Sequence, residues 1–405
     1  MVAAVHRVVI TGLGPVSSIG VGAENFCHAV RAGKSGISRI SSFDVSGFEH
    51  QMAGEVTDFK AGDVLTQLDV AEWGRASLLA AAAARLAADD AGLDDVGEDT
   101  AVLMGTTSGE IPHVVAMTES WHLNGDRVPD AALAAQLPAG RLALAAAQEL
   151  GATGETMTFS AACAAANCAL GYAFDLVALG EAPVAVAGGA DAVSRFTHAA
   201  FHRLGALAKD TCRPFDRERD GMLTAEGGAA LVLESLDGAR ERGARIYAEV
   251  LGYALSCDAH HPSAPEVKSI ARTMDSALRR SGVRPQEVDY ICAHGTGTRL
   301  NDQVEAQAIH SVYGHAMPPL SSLKSMLGHT MGAASGFGSI ACALAISRGF
   351  IPPTINHRHR DPDLHGIDPV AGAAREATVR VAQNNAFGFG GNNAIVVFGS
   401  APCTS

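Results

Sequence analysis

The 405-residue sequence is poor in aromatic side chains, which make up 5% of it, and in charged side chains, which make up 18%. Its eight cysteines include no Cys-x-x-Cys pair. We find no uncharged apolar run of about 18 residues, the length that spans a membrane, and no apolar signal-peptide core at the N-terminus. These absences predict a reduced cytoplasmic protein without a disulfide framework or a membrane span.

Positive charge is also scarce. Lys and Arg total 30 against 43 Asp and Glu, which gives a formal net charge of −13. This charge argues against nucleic acids and membranes as partners, although a local basic patch for an acidic protein remains open. Hydrophobic residues make up 47% of the chain, and its length suits two fused α/β halves.

Short apolar segments alternate with Ala-rich helical segments along the chain. An Ala/Leu-rich helix is predicted at 71–92, and strands are predicted at 8–10, 101–104, 185–187, 229–234, 290–292 and 394–398. Alternation of this kind predicts an α/β fold in which helices cover the sheets.

Two small-residue segments, 163–180 and 332–349, resemble each other and lie about 169 positions apart. Each is apolar nearly all round, which predicts a buried helix, and each ends at a glycine, as helices often do. Their similarity indicates an internal duplication. We place the boundary near residue 250, which gives halves 1–250 and 251–405 that form one compact unit.

Two weak binding patterns are disfavoured. A turn with Gly12 and Gly14 follows the first strand, but Ser17 stands where the third glycine of a dinucleotide-binding loop belongs. His357 and His359 have the spacing of metal ligands, but no carboxylate or cysteine completes a convincing set. We therefore predict no metal and no bound cofactor.

Cys163 precedes the first small-residue helix and has no charged neighbour close in sequence. Free amides at a helix N-terminus favour a thiolate, which is the attacking form in acyl transfer. A small buried hydrophobic residue is the alternative for any single cysteine. That alternative fits Cys168, one turn further along the same helix, better than it fits Cys163.

Two histidines lie where catalytic groups collect. His294 ends an apolar strand and begins Gly-Thr-Gly-Thr, in which Thr296 and Thr298 can donate hydrogen bonds to a ligand. His329 opens the second buried helix, where its charged form is disfavoured. Two neutral imidazoles can stabilise one carbonyl oxygen as negative charge grows on it. His260 and His261, like His357 and His359, are interpreted as surface or packing residues.

A lysine and a glycine-rich segment complete the set. Lys324 lies among small residues, and Glu305 is its obvious partner because a buried lysine needs one. Phe389 lies between Gly388 and Gly390, which allow unusual backbone angles and hinge motion. The phenyl ring could gate a pocket while a backbone N–H points into it; a solvated lysine and a turn with a core phenylalanine are the alternatives.

Taken together, the four segments 160–163, 293–298, 324–329 and 385–392 resemble the active site of a β-ketoacyl-acyl carrier protein synthase, an acyltransferase of the elongating Cys-His-His type. The resemblance covers nearly the whole chain and includes Arg213-Pro-Phe-Asp, Arg219-Asp-Gly and Glu226-Gly-Gly. It implies the thiolase fold, with two duplicated halves in five layers. His329 stands where the initiating synthases of the family have Asn.

The resemblance also implies roles. Cys163 would take the acyl chain from an acyl carrier protein, and His294 and His329 would bind malonyl thioester and assist its decarboxylation. The backbone N–H groups of Cys163 and Phe389 would form the oxyanion hole. Lys324, paired with Glu305, would organise the histidines.

Some residues depart from the family pattern. The segment around Cys163 reads Ala-Ala-Cys-Ala-Ala-Ala, where Thr-Ala-Cys followed by Ser, Thr or Ala and then by Ser-Gly is usual. Gly205 occupies the position of a carrier-docking arginine, so Arg203, Lys209 or Arg213 would have to provide docking. These departures favour a specialised polyketide or polyene pathway over housekeeping fatty acid elongation, and both stay open.

The partner also stays open between a second copy and a chain-length factor. Two other functions compete with a condensing enzyme. A non-catalytic chain-length partner usually lacks the nucleophile, so Cys163 argues against it. A thiolase of another type would need a reactive cysteine near the C-terminus, and Cys403 lies in a polar tail without supporting glycines.

Overall fold

The computed structural model describes residues 5–125, 131–364 and 366–401. Cys403 lies outside them. The strands in chain order are β1 (Val8–Ser17), β2 (Gly20–Val21), β3 (Ile37–Arg39), β4 (Met52–Gly54), β5 (Ala101–Thr106), β6 (Thr156–Ser160), β7 (Val184–Asp191), β8 (Thr224–Ala225), β9 (Gly227–Ser235), β10 (Ala248–Cys257), β11 (Tyr290–Cys292), β12 (Pro319–Ser321), β13 (Phe350–Ile351), β14 (Asp368–Pro369), β15 (Arg375–Glu376), β16 (Val381–Phe387) and β17 (Asn392–Gly399).

The α-helices fall between these strands, as the alternating pattern predicts. In chain order they are α1 (Ala23–Ala32), α2 (Arg75–Asp90), α3 (Ile111–Asn124), α4 (Ala131–Ala134), α5 (Arg141–Leu150), α6 (Ala165–Leu179), α7 (Arg195–Arg203), α8 (Leu236–Glu241), α9 (Val267–Arg280), α10 (Arg299–Tyr313), α11 (Lys324–Leu327) and α12 (Ala334–Arg348).

The main sheet has a pseudo-symmetric strand order. It runs β14-β12-β11-β16-β17-β10-β1-β9-β7-β5-β6, with β1 and β10 antiparallel at its middle. Outward from that pair, β9 and β17 are antiparallel to their inner neighbours, and so are β7 and β16. Then β5 and β11, followed by β6 and β12, are parallel. Matched relations on both sides confirm the predicted duplication.

The helices form the layers that the thiolase fold requires. Helices α6 and α12 contact each other and strands of both halves, so they form the central layer. Helices α2 and α5 pack on the outer face of the N-terminal half, and α9 and α10 pack on that of the C-terminal half. The α/β five-layer prediction is confirmed. The exact boundary near residue 250 stays a prediction.

Both central helices are apolar nearly all round because other elements cover them on all sides. Each ends at a left-handed glycine, Gly180 (φ 74°) or Gly349 (φ 68°), as predicted. The segment Ala162–Leu179 is long and apolar enough to cross a membrane by length and composition, and 67% of it is buried inside the protein. That burial is typical of a core helix.

The predicted turn after residue 10 is wrong, because β1 continues to Ser17 past a register shift between Ile10 and Gly12. Here glycine permits close helix packing. A Cβ atom on Gly12 would lie 2.0 Å from the Ala87 carbonyl oxygen, and one on Gly14 would lie 1.9 Å from that of Ala83. These glycines therefore let α2 approach the strand.

Candidate active site

The nucleophile turn joins strand β6 to helix α6. A 3₁₀ turn over Ala162–Ala164 holds Cys163, which is 6% exposed, two residues before the first residue of α6. Ala162 has a left-handed φ of 48°, a conformation that costs a non-glycine residue about 1–3 kcal/mol. Met331, 169 positions later, has φ 50° in the matching turn before α12. The duplication thus extends to the strained backbone.

His294 lies just beyond the end of β11, on the turn that leads into α10. Its backbone is held from two sides: its N–H donates to Glu305 Oε1 at 2.9 Å, and its carbonyl accepts from Lys324 Nζ at 2.5 Å. Its ring meets the ring of Phe387 at 5.5 Å. Backbone contacts therefore fix the imidazole without using its nitrogens.

His329 has a defined tautomer. Its Nδ1 accepts a hydrogen bond from the Met331 N–H at 3.1 Å, so the proton of the neutral ring is on Nε2. A metal bound at Nε2 would need that proton on Nδ1, opposite the Met331 N–H donor. The tautomer therefore favours hydrogen-bond donation over metal coordination.

Three functional side chains converge at one end of a cavity. The Cys163 sulfur and one ring nitrogen each of His294 and His329 all lie within 4.8 Å of one another. The two imidazole rings are 5.6 Å apart and nearly perpendicular, at 81°. The cavity has a volume of about 540 Å³ and is bordered by all three residues. A thiol and two imidazoles can thus contact the same thioester.

Both histidines are neutral in this environment. Burial lowers the pKa of His294 well below its usual value, and the Lys324 ammonium and His329 lower it further. Burial and Lys324 do the same for His329. The prediction of two neutral imidazoles is confirmed.

Cys163 differs from its prediction. Burial raises the pKa of its thiol to about 11, although Lys324 and the backbone N–H groups of Phe389 and Cys163 itself act in the opposite direction. The predicted helix-terminal position is correct, but desolvation outweighs it. The resting residue is therefore a thiol, which must lose its proton during attack.

Lys324 and Glu305 also differ from their predicted pairing. The salt bridges of the described residues include none between them, and Lys324 donates to the His294 carbonyl instead. Glu305 is fully buried and accepts from the N–H groups of His294 and Gly295 and from Asn385. Burial lowers the pKa of Lys324, and Glu305 is among the groups that oppose this effect. The two side chains therefore bind the backbone of the same turn, Lys324 at a carbonyl group and Glu305 at two N–H groups.

The glycine-rich loop lies against the nucleophile turn. A Cβ atom on Gly388 would lie 2.9 Å from the Ala161 carbonyl oxygen and 3.3 Å from the Cys163 nitrogen. Gly390 has a left-handed φ of 84°. Phe389 is 42% exposed, and its ring packs 5.7 Å from that of Phe201.

The other predicted ligand-binding residues also border the cavity. Thr296 and Thr298 line it and share a hydrogen bond of 2.8 Å between their hydroxyl oxygens. Cys168 packs against Ala164, Ala386 and Ala394, which fits its interpretation as a core residue.

Sequence reasoning missed several residues of this region. Phe201 and His261 line the cavity. His261 is exposed, as expected of a surface residue, and its Nδ1 accepts from the N–H groups of Ser263 and Ala264. Asp191 joins the halves, accepting from Thr107 and Gly332 N–H groups. The available signal was a polar residue at the end of an apolar strand, which β7 shows.

The residues considered for carrier docking are close in sequence to residues that line the cavity. Arg203 and Lys209 are exposed, and Gly205 lines the cavity. Arg213 already forms ion pairs with Asp210 at 3.4 Å and Asp220 at 3.9 Å. Arg203 and Lys209 thus have the more accessible charges.

Sequence profiles and relatives of known description match most of the chain. The sequence profile "Beta-ketoacyl synthase, N-terminal domain" matches residues 5–239, and "Beta-ketoacyl synthase, C-terminal domain" matches residues 247–358. Nodulation protein E of Rhizobium sp. (strain N33) is 38% identical over 97% of this chain and 99% of its own. The 3-oxoacyl-[acyl-carrier-protein] synthase 2 of Synechocystis sp. is 36% identical over 97% of each.

Two solved structures are similar over 98% of this chain and all of their own. One, the ishigamide ketosynthase/chain length factor, has a TM-score of 0.96 and 49% identity. The other, with a TM-score of 0.90 and 30% identity, is a type II polyketide synthase acyl-carrier protein in complex with its ketosynthase bound to the hexaketide.

Proposed function

The chain belongs to the β-ketoacyl synthase family and is a condensing acyltransferase, and from that premise we propose that it extends a polyketide chain held as a thioester on Cys163. The observation that carries the assignment of residues is the convergence of the Cys163 sulfur with His294 and His329 within 4.8 Å. Cys163 also argues against a purely structural chain-length partner.

In the first half-reaction, the Cys163 sulfur attacks the thioester carbonyl of an acyl carrier protein. A carbon–sulfur bond forms to Cys163, the bond to the phosphopantetheine sulfur breaks, and the carrier thiol leaves with the proton from Cys163. The backbone N–H groups of Cys163 and Phe389, which favour negative charge on the sulfur, are the proposed donors to the tetrahedral oxyanion.

In the second half-reaction, malonyl thioester loses carbon dioxide. The electron pair of the broken carbon–carbon bond moves into an enolate, whose oxygen accepts hydrogen bonds from the neutral imidazoles of His294 and His329. The enolate carbon attacks the acyl-Cys163 carbonyl and the bond to Cys163 breaks. The product leaves on the carrier, two carbons longer, and the Cys163 sulfur takes up a proton.

The remaining predicted residues position these groups. Lys324 and Glu305 hold the backbone of the His294 turn, and Thr296 and Thr298 offer hydroxyl groups to the phosphopantetheine arm. Phe389, packed on the ring of Phe201 at the cavity wall, gates the pocket.

The proposed partners are an acyl carrier protein and a chain-length-factor subunit. The 49% identity to a protein described as a ketosynthase/chain length factor supports a heterodimer. Strand β6 is an end strand of the main sheet among the described residues, so its outer edge is open to a partner strand, and its Met157 side chain is exposed. The carrier would dock at Arg203 and Lys209, whose positive charge complements an acidic protein.

The first test is acylation followed by extension. Purified protein, alone and co-expressed with a candidate chain-length factor, is incubated with a panel of acyl and polyketidyl carrier thioesters and then with malonyl carrier protein. Intact mass should show the acyl group on wild type and none on Cys163→Ala. A preference for polyketidyl chains over saturated acyl chains supports the proposed role in a polyketide pathway. A preference for saturated acyl chains, or full activity without a partner, contradicts this proposal.

A further inference from the structure

A chain of buried hydrogen bonds leads away from Glu305 through residues that do not line the cavity. Asn385 Nδ2 donates to Glu305 Oε1 at 3.1 Å, Gln383 Nε2 donates to Asn385 Oδ1 at 2.8 Å, and Tyr313 Oη donates to Gln383 Oε1 at 2.8 Å. All four side chains are at most 5% exposed. This set is called the Tyr313 relay below.

Regular secondary structure brings the Tyr313 relay together. Gln383 and Asn385 are two positions apart on β16 and therefore lie on the same face of the strand. Glu305 and Tyr313 are both on α10, eight positions apart. The strand face thus bridges two turns of the helix with its amides.

The Glu305 carboxylate at one end of the relay determines which group donates in every bond. An ionised carboxylate only accepts, so Asn385 must turn its NH₂ group to Glu305 and its oxygen to Gln383. Gln383 must then turn its NH₂ group to Asn385 and its oxygen to Tyr313. Burial raises the pKa of Tyr313, so its phenol stays a donor. The donors therefore all point toward Glu305.

We propose that Tyr313 and Gln383 are positioning residues that act through Asn385 to keep Glu305 ionised, and so keep the His294 turn in place for the reaction. The inference rests on the role of Glu305 in the proposed function. A protonated Glu305 would present an O–H group to N–H donors and would release one of them. Aligned dipoles in a buried site strengthen one another, which gives a remote phenol an effect on the carboxylate.

The charges around Glu305 make its ionisation sensitive to the relay. Burial raises the pKa of Glu305 to about 7, and nearby Asp302 raises it too. The N–H groups of Gly295 and His294 and the amide of Asn385 lower it. Lys324 on α11 faces the same carboxylate, as does the thiol of Cys292 on β11. Removing a donor should therefore raise the pKa of Glu305. Because that pKa lies near neutral pH, the fraction of ionised Glu305 should fall under conditions where the enzyme works.

The test uses Tyr313→Phe and Gln383→Met, with Tyr247→Phe as a matched control. Tyr247 is also buried, and its hydroxyl donates to Asp90 Oδ1 at 3.2 Å, outside the relay. For each folded variant, infrared spectroscopy follows the carboxylic acid band of Glu305 against pH, assigned with Glu305→Gln. The pH dependence of kcat/KM for condensation is measured in parallel.

Both the infrared midpoint and the acid limb of kcat/KM should rise by on the order of half a pH unit in the two relay variants. The control should superimpose on wild type. Unchanged profiles in both relay variants, or an equal shift in the control, overturn the proposal. If the infrared midpoint rises while the acid limb stays, the relay is supported and the role of Glu305 in the proposed function is what fails.

Discussion

The ammonium group of Lys324 donates to the backbone carbonyl of His294 at 2.5 Å and leaves the carboxylate of Glu305 to bind the N–H group of the same residue. The ammonium group thus binds the carbonyl group of His294 while the carboxylate binds its N–H group, so two oppositely charged side chains hold the backbone of one residue. This arrangement fixes the imidazole of His294, and it also places a positive charge near Cys163 and His329.

Replacing Lys324 with methionine should lower kcat for malonyl decarboxylation by about 10²-fold, because the His294 carbonyl loses its donor and the imidazole loses its position. The same change should move the acid limb of the pH–rate profile to higher pH, since the Lys324 charge favours the ionised form of Glu305 and keeps the pKa of both histidines low. Release of carbon dioxide, followed against pH, measures both effects.

Lys268→Met, at an exposed position on α9, is the control for Lys324→Met and should behave like wild type. A Lys324→Met protein with the wild-type acid limb would show that the ammonium charge affects neither the imidazoles nor Glu305.

The thiol of Cys163, with its pKa raised to about 11, should react slowly with iodoacetamide at pH 7. Only the thiolate reacts, so the alkylation rate should rise about tenfold per pH unit between pH 7 and 10. Peptide mass spectrometry measures the rate, with Cys163→Ala to identify the labelled site. A rate that reaches its plateau below pH 8 would mean that the local amides and Lys324 outweigh burial after all.

Local sequence signals predicted the central layer and the reacting groups well. Helices α6 and α12 were recognisable because their small residues are apolar on every face and end at Gly180 and Gly349. Strand β11 has the predicted bounds, Tyr290–Cys292, because a short apolar run leads directly into His294. Features of this kind depend on neighbours in the chain, so the sequence alone contains them.

Features that depend on distant segments were not predictable. The extension of β1 past Gly12 requires knowing that α2 packs on it. The raised pKa of Cys163 follows from burial by several elements. Lys324 binds a backbone carbonyl, a partner that no side-chain pattern reveals. Helix α3 was missed because its faces around Trp121, which is 52% exposed, show no core-facing period.

Gly388→Ala tests the proposed oxyanion hole. The φ of Gly388 is −100°, which alanine adopts without strain, so the effect is steric. The new Cβ would lie 2.9 Å from the Ala161 carbonyl oxygen and should push the Phe389 N–H away from Cys163. Losing one oxyanion donor costs about 10²–10³-fold in rate. Single-turnover acylation of Cys163, followed by intact mass, measures it.

Gly62→Ala is the control for Gly388→Ala, since a Cβ atom there meets no atom within 4 Å. Acylation of Gly388→Ala at the wild-type rate would remove the Phe389 amide from the mechanism.

Gly14→Ala should destabilise the protein without changing its chemistry. The added Cβ would lie 1.9 Å from the Ala83 carbonyl oxygen and 2.6 Å from the Ala87 nitrogen, so α2 must move away from β1. Overpacking against backbone should lower the free energy of unfolding by about 3 kcal/mol. Because α2 covers the outer face of its half, kcat below the unfolding transition should match wild type. Urea unfolding measures the loss, and the Gly62→Ala midpoint should stay near that of wild type. A Gly14→Ala protein as stable as that control would mean that α2 can shift at little cost, and close packing would then not explain why glycine occupies β1.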